Sequence, residues 1–61
     1  MKKTLRIVIL TESKENLEYD LRMLQEANFV TTDIRDKNLL IKKINYTKAL
    51  IKEIDEMIRE L

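Results

Sequence analysis

The first apolar run of the chain alternates in a way that is typical of a β-strand. Residues 4–10 (TLRIVIL) are mostly aliphatic or β-branched, and successive side chains of a strand point to opposite faces. One face would carry Leu5, Ile7 and Ile9, and the other Thr4, Arg6, Val8 and Leu10. We therefore predict a strand over residues 4–10.

The next segment changes to the spacing of a helix, with one stripe formed by Leu17, Leu21, Leu24 and Asn28. Thr11 or Ser13 can accept hydrogen bonds from the free amides of the first turn. Asn28 is the best substitute for the glycine that commonly ends a helix. These positions predict a helix that runs to about Ala27.

Residues 29–35 (FVTTDIR) have two interpretations. Their β-branched and aromatic side chains favour a second strand. Alternatively, the segment is a loop in which Thr32 caps the following helix. We adopt the strand and keep the loop as the alternative.

The last third of the chain has the clearest pattern. Residues 38–61 contain no Gly or Pro that would interrupt a helix, and at about 100° per residue their apolar side chains share one arc. The arc contains Leu40, Ile44, Thr47, Leu50, Ile51, Ile54, Met57, Ile58 and Leu61. We predict one long helix over residues 38–61.

Together these elements predict a single α/β (α+β) domain over residues 1–61, in the order strand, helix, strand, long helix. A right-handed crossover would make the two strands parallel. Two strands make an incomplete sheet, and 61 residues with no cysteine or histidine for a disulfide or zinc site bury too little surface to be comfortably stable. We therefore expect dimerisation to complete the domain.

Seven residues of the long helix repeat at alternate spacings of four and three, as in a coiled coil. They are Leu40, Ile44, Thr47, Ile51, Ile54, Ile58 and Leu61. We predict that this row contacts a second copy or a partner protein, because the rest of the domain offers little surface to cover it. The alternative is a core helix that packs on its own domain. Binding to a membrane surface is a third interpretation, which the acidic end of the helix weakens.

The charges of the long helix are sorted along its length. Five lysines and no acid lie in residues 37–52, whereas residues 53–60 contain four acids and one arginine. An antiparallel pair of these helices would place opposite charges together, and the predicted interhelix charges are Lys43, Lys48, Glu53 and Glu56. The alternative is solvated charges with the local pairs Asp55–Arg59 and Lys52–Glu56.

Composition excludes most catalytic chemistry. The chain has no Gly, Cys or His, so it lacks a phosphate loop, a thiolate nucleophile and the usual metal ligands. We predict no catalytic residue, no cofactor, no metal site and no small-molecule substrate. No apolar run reaches the ~18 residues of a membrane span, and the N-terminal run is too short for a signal peptide. We expect a cytoplasmic protein that does not bind membranes.

Two family resemblances bear on the fold. The segments RIVIL, TESKEN, LQEANF and VTTDI over residues 6–35 resemble the first half of a response-regulator receiver domain. Receivers carry adjacent acids after the first strand, where this chain has Thr11 and Glu12. The resemblance therefore implies an α/β fold without phosphotransfer.

The second resemblance is to ribbon–helix–helix repressors, in which a short strand pairs with its dimer mate and two helices follow. It implies a dimer that binds DNA with the strand in the major groove. The strand would present Lys2, Thr4 and Arg6 to the bases. The structural alternative for Arg6 is a charge that protects the edge of a strand from aggregation.

The function that we predict is therefore non-enzymatic. We expect a small regulator or inhibitor that forms a homodimer and binds another protein, and the Lys-, Ile-, Asn- and Glu-rich sequence is typical of AT-rich bacterial, phage or mobile-element genes. The alternative is a dimeric DNA-binding repressor of the ribbon–helix–helix type.

Overall fold

The computed structural model describes residues 2–61, which form a hairpin of two antiparallel α-helices. Helix α1 spans Lys2–Val30, and helix α2 spans Ile34–Glu60. Residues 31–33 connect them. The hairpin extends over 49 × 15 × 11 Å, so it is a single layer of helices and its core is one seam between them.

The strand predicted over residues 4–10 is wrong, because these residues belong to α1. Their β-branched side chains give only a weak preference for a strand. A strand needs a neighbour for its N–H and C=O groups, whereas a helix pairs them within the segment. No Gly or Pro lies between residue 4 and residue 30. The helix therefore continues through Thr11 and Ser13, the predicted caps.

The second strand, over residues 29–35, is also wrong, and the loop alternative comes closer. Helix α1 passes through Asn28 and ends at Val30. The amide and the hydroxyl group of Thr31 both donate to the carbonyl oxygen of Ala27, at 3.1 and 2.6 Å. None of residues 2–61 has a positive φ. The connection is therefore made without the left-handed residue that Asn28 was predicted to supply.

Helix α2 begins with a side-chain cap on Asp33, not on Thr32. Asp33 has an extended backbone, and its Oδ1 accepts hydrogen bonds from the amides of Arg35 and Asp36, at 2.8 and 3.3 Å. These bonds satisfy two of the amides that a helix leaves free at its start. The cap explains why a three-residue connection is enough.

The long helix predicted over residues 38–61 is confirmed as α2, although it begins four residues earlier and ends at Glu60. The fold class is not confirmed. Residues 2–61 contain no strand, so the α/β class and the ribbon–helix–helix alternative are both wrong. A sheet completed by dimerisation and the receiver-like order of elements are wrong for the same reason.

Candidate protein-binding surfaces

The seam between the helices contains the row of seven residues predicted on α2. Ile44 and Thr47 are 8% and 7% exposed and are the buried side chains of residues 2–61, while the other five residues of the row are half-buried. They face α1 of their own chain, which is the alternative considered for this row. A second chain can reach them only where they remain partly exposed.

Helix α1 presents a matching row. The sequence prediction had split this row among different elements, because it placed a strand over residues 4–10 and a helix end near Ala27. The row consists of Leu10, Lys14, Leu17, Leu21, Leu24 and Asn28, and Thr31 of the connection continues it. All seven are half-buried. The spacing alternates between four and three, as it does on α2, and this is the geometry of knobs-into-holes packing. The same alternation was visible in the sequence and is the signal for one continuous helix.

Four positions of the two rows carry polar side chains instead of apolar ones: Lys14, Asn28, Thr31 and Thr47. The hydroxyl group of Thr47 donates to the carbonyl oxygen of Lys43 at 2.8 Å. Lys14 Nζ lies 2.6 Å from Asp55 Oδ1 on the facing helix. The buried Oδ1 of Asn28 finds no hydrogen-bond partner among residues 2–61. Polar seam residues lower stability but select one register of the helices.

The ion pair changes the proton affinity of Lys14. The hydrogen bond to Asp55 raises the pKa of Lys14 above its usual value of 10.5. Partial desolvation opposes this shift, and the charges of Asp55 and Glu18 add to it. The ammonium form is therefore the one that the hairpin stabilises.

One side of the hairpin, which we call the groove side, is lined by exposed apolar residues of both helices. Three shallow grooves follow the seam there, and their apolar margins are Ile9, Met23, Leu39, Tyr46 and Met57. Charged residues alternate with them: Arg6 and Glu60 share one groove, and Asp20 and Lys43 share another. Residues seven apart lie on the same side of a helix, which places Leu50 and Glu53 here too.

The opposite side of the hairpin is polar over most of its length. Glu15, Glu18 and Arg22 line a shallow groove there, and the helical spacing adds Thr11 and Gln25 on α1 and Lys48 and Lys52 on α2. Among the exposed apolar residues, Ile34 and Ile41 lie on this side of α2, and Val8 and Phe29 lie on this side of α1. We call it the polar side. The two sides therefore differ in what they can bind.

The start of α1 projects beyond the end of α2. Counting outwards from the pair Lys14–Asp55 places Leu61 opposite Val8, so residues 2–7 have no other segment of residues 2–61 across from them. We call residues 2–8 the projecting end. Leu5, Ile7 and Val8 are exposed there by 60, 38 and 53%. On a helix they share one broad arc, and Lys2, Lys3 and Arg6 share the other.

The remaining predicted site residues are dispersed by the helical fold. In a strand, Lys2, Thr4 and Arg6 would share one face, but on α1 Thr4 lies about 160° from Lys2. Lys43 and Glu53 lie on the groove side, Lys48 lies on the polar side, and Glu56 points away from the seam. All seven of these residues are exposed. They do not form one cluster.

Sequence reasoning missed the contribution of α1 to the groove side. Ile9 and Met23 were placed in different elements, although they are two heptads apart and share a row on one continuous helix. Within residues 2–61, no three acidic side chains are arranged to hold a metal ion. Neither described helix has the length and hydropathy of a membrane span.

The sequence matches no protein-family model, and no curated protein or solved structure is significantly similar to it.

Proposed function

We propose that the protein is a small non-enzymatic regulator or inhibitor that works in the cytoplasm by binding another protein. The projecting end is the observation that carries this proposal. It presents Leu5, Ile7 and Val8 as exposed side chains, and residues 2–7 extend past the described end of α2. Leu5 and Val8 lie at i and i+3, a spacing with which a helix inserts apolar side chains into a groove.

The chemistry of the projecting end indicates the kind of groove that it fits. Lys2, Lys3 and Arg6 flank the apolar arc, so an acidic rim on the partner would complement them. Binding of DNA through a strand is not proposed, because residues 2–10 are helical.

Affinity capture with the full chain tests the proposal. The wild type and the variants Leu5→Lys and Val8→Lys would be immobilised in equal amounts and exposed to lysate of the cells that produce the protein. We expect one protein whose recovery falls at least tenfold, on the order of 1.4 kcal/mol, with either variant. Gln25→Lys, on the polar side of the same helix and 17 residues from Val8, is the matched control and should retain it.

Two outcomes would contradict this function. One is that no recovered protein depends on Leu5 or Val8 more than on Gln25. The other is that the wild type binds a DNA duplex or anionic lipid vesicles with the same dependence on Leu5 and Val8. Far-ultraviolet circular dichroism of each variant checks that the helices are intact.

A further inference from the structure

The exposed area of the hairpin is too large for a chain of its size. Its accessible surface is 5247 Å², whereas a compact monomer of 7.3 kDa is expected to expose about 4,200 Å². The radius of gyration is 14.3 Å, against about 10.5 Å for a compact domain of this length. The excess of about 1,000 Å² is close to the ~800 Å² that each partner buries in a standard interface.

Part of the exposed apolar surface lies on the groove side. Ile9, Met23, Leu39, Tyr46 and Met57 remain exposed there, each by about half or more. Some half-buried residues of the two seam rows line the same grooves: Leu10, Leu24, Thr31, Leu40 and Leu61. A second layer of helices would cover both sets at once. Packing of two apolar helix pairs in this way produces a four-helix bundle.

We propose that a second copy of the chain covers the groove side and forms an antiparallel four-helix bundle. A two-fold axis crosses the long direction of the hairpin near Leu50, so that α2 packs on α2 and the two connections lie at opposite ends. The interface is the same surface on both copies, as two-fold symmetry requires. This assembly is independent of the projecting end as a binding site for another protein.

Charge complementarity favours the antiparallel orientation. On the groove side of α2, Lys43 belongs to the basic half of the helix, whereas Glu53 and Glu60 belong to the acidic half. A two-fold axis near Leu50 places Lys43 of one copy beside the segment between Glu53 and Glu60 of the other. Along α2, this arrangement brings opposite charges together on both sides of the axis.

The unequal ends of the hairpin favour the same orientation. The register set by Lys14 and Asp55 places residue 19 opposite Leu50. The axis therefore brings Arg6 of one copy next to the connection of the other, which contains Asp33. Each projecting end then lies along the turn of the other copy, where Val30 is 75% exposed. Leu5 and Val8 face away from this contact and remain open to another partner.

The mass of the full chain in solution, measured by light scattering over a range of concentrations, tests the dimer. We expect the wild type to have twice the mass of one chain. Tyr46→Lys and Met57→Lys should each raise the Kd of the dimer about 100-fold, because each substitution acts at two symmetry-related places and a tenfold loss at each multiplies. Ile41→Lys is the matched control on the polar side and should leave the mass unchanged.

Two results of this measurement would overturn the dimer. One is a wild type that remains a helical monomer at every concentration. The other is dissociation of the dimer by Ile41→Lys as readily as by Tyr46→Lys. Both substituted groove residues are exposed in the hairpin, so each variant should keep its helical circular dichroism. If one variant unfolds, the other still provides the comparison.

A cysteine cross-link tests the orientation, since the chain has no cysteine of its own. Leu50→Cys places one thiol of each copy near the proposed axis, and a disulfide requires Cα atoms within about 7 Å. We expect oxidation to link this variant into a covalent dimer. Leu39→Cys, which lies about 33 Å from its own counterpart in this arrangement, should not cross-link. Failure of Leu50→Cys to link within a stable dimer would overturn the antiparallel orientation.

The dimer and the proposed protein-binding function can fail separately. Tyr46→Lys should change the mass but leave Leu5 and Val8 accessible for capture of a partner protein. Conversely, Leu5→Lys should reduce capture without changing the mass. If Tyr46→Lys reduced capture without changing the mass, and Leu5→Lys changed the mass without reducing capture, the two surfaces would be assigned incorrectly.

Discussion

Lys14 of α1 and Asp55 of α2 form an ion pair across the seam of the hairpin, with 2.6 Å between Nζ and Oδ1. Lys14 occupies a seam position that an apolar residue would otherwise fill. If α2 slipped by one heptad, Lys14 would face Lys48 instead of Asp55. Like charges on facing helices disfavour the slipped register. The pair therefore contributes more to the choice of register than to the strength of packing.

Reversing the charges of this pair tests its role. Asp55→Lys should lower the thermal midpoint more than Asp55→Ala, because it adds repulsion to the loss of the pair. The double variant Lys14→Asp with Asp55→Lys should recover most of that loss. Circular dichroism melts at fixed protein concentration and at two salt concentrations measure these effects, which salt should weaken. Additive losses in the double variant would show that the two residues do not interact.

The stability of the hairpin should depend on pH through Lys14. Since the folded pKa of Lys14 is raised above 10.5, its contribution is fully present below pH 10.5 and is lost as the pH rises through the folded value. Urea midpoints of the wild type and of Lys14→Met, measured from pH 8 upwards, isolate this term. The difference between them should be constant up to about pH 10 and should then shrink. If the difference in urea midpoint between the wild type and Lys14→Met grew above pH 10, the raised pKa of Lys14 would be contradicted.

Asn28 is a seam residue whose replacement should stabilise the hairpin. Its Oδ1 is buried without a hydrogen-bond partner among residues 2–61, and such a group costs about 1–3 kcal/mol. Asn28→Leu should raise the free energy of unfolding by about 1 kcal/mol or more in urea denaturation. Part of the gain comes from helix propensity, so Asn45→Leu, at an exposed position of α2, is the control. Equal gains in both variants would rule out an effect of burial.

The cap at Asp33 should be the main local determinant of where α2 begins. Asp33→Ala removes the acceptor for the amides of Arg35 and Asp36 and should cost about 1 kcal/mol, whereas Asp33→Ser should cost much less. Asp36→Ala, which leaves the cap in place, should cost only a few tenths of a kcal/mol. Urea denaturation provides all three values. A loss with Asp33→Ser as large as with Asp33→Ala would argue against a capping role.

The sequence by itself determined the long second helix and its seam row. A stretch without Gly or Pro, with Ile44, Ile51 and Ile58 recurring every seven residues, can bury those side chains together only as a helix. It did not determine the structure of residues 4–10. Their aliphatic and β-branched side chains suit a strand and a helix almost equally, and local preference in such a run is weak.

Tertiary structure decided that choice because the seam row of α2 needs a surface to cover it. One continuous helix from Lys2 to Val30 supplies that surface along its whole length, whereas a strand and a short helix would leave half of the row exposed to water. The same pairing decided which side chains stay outside the seam. The groove side and the projecting end exist only once the two helices are paired in the register that Lys14 and Asp55 share.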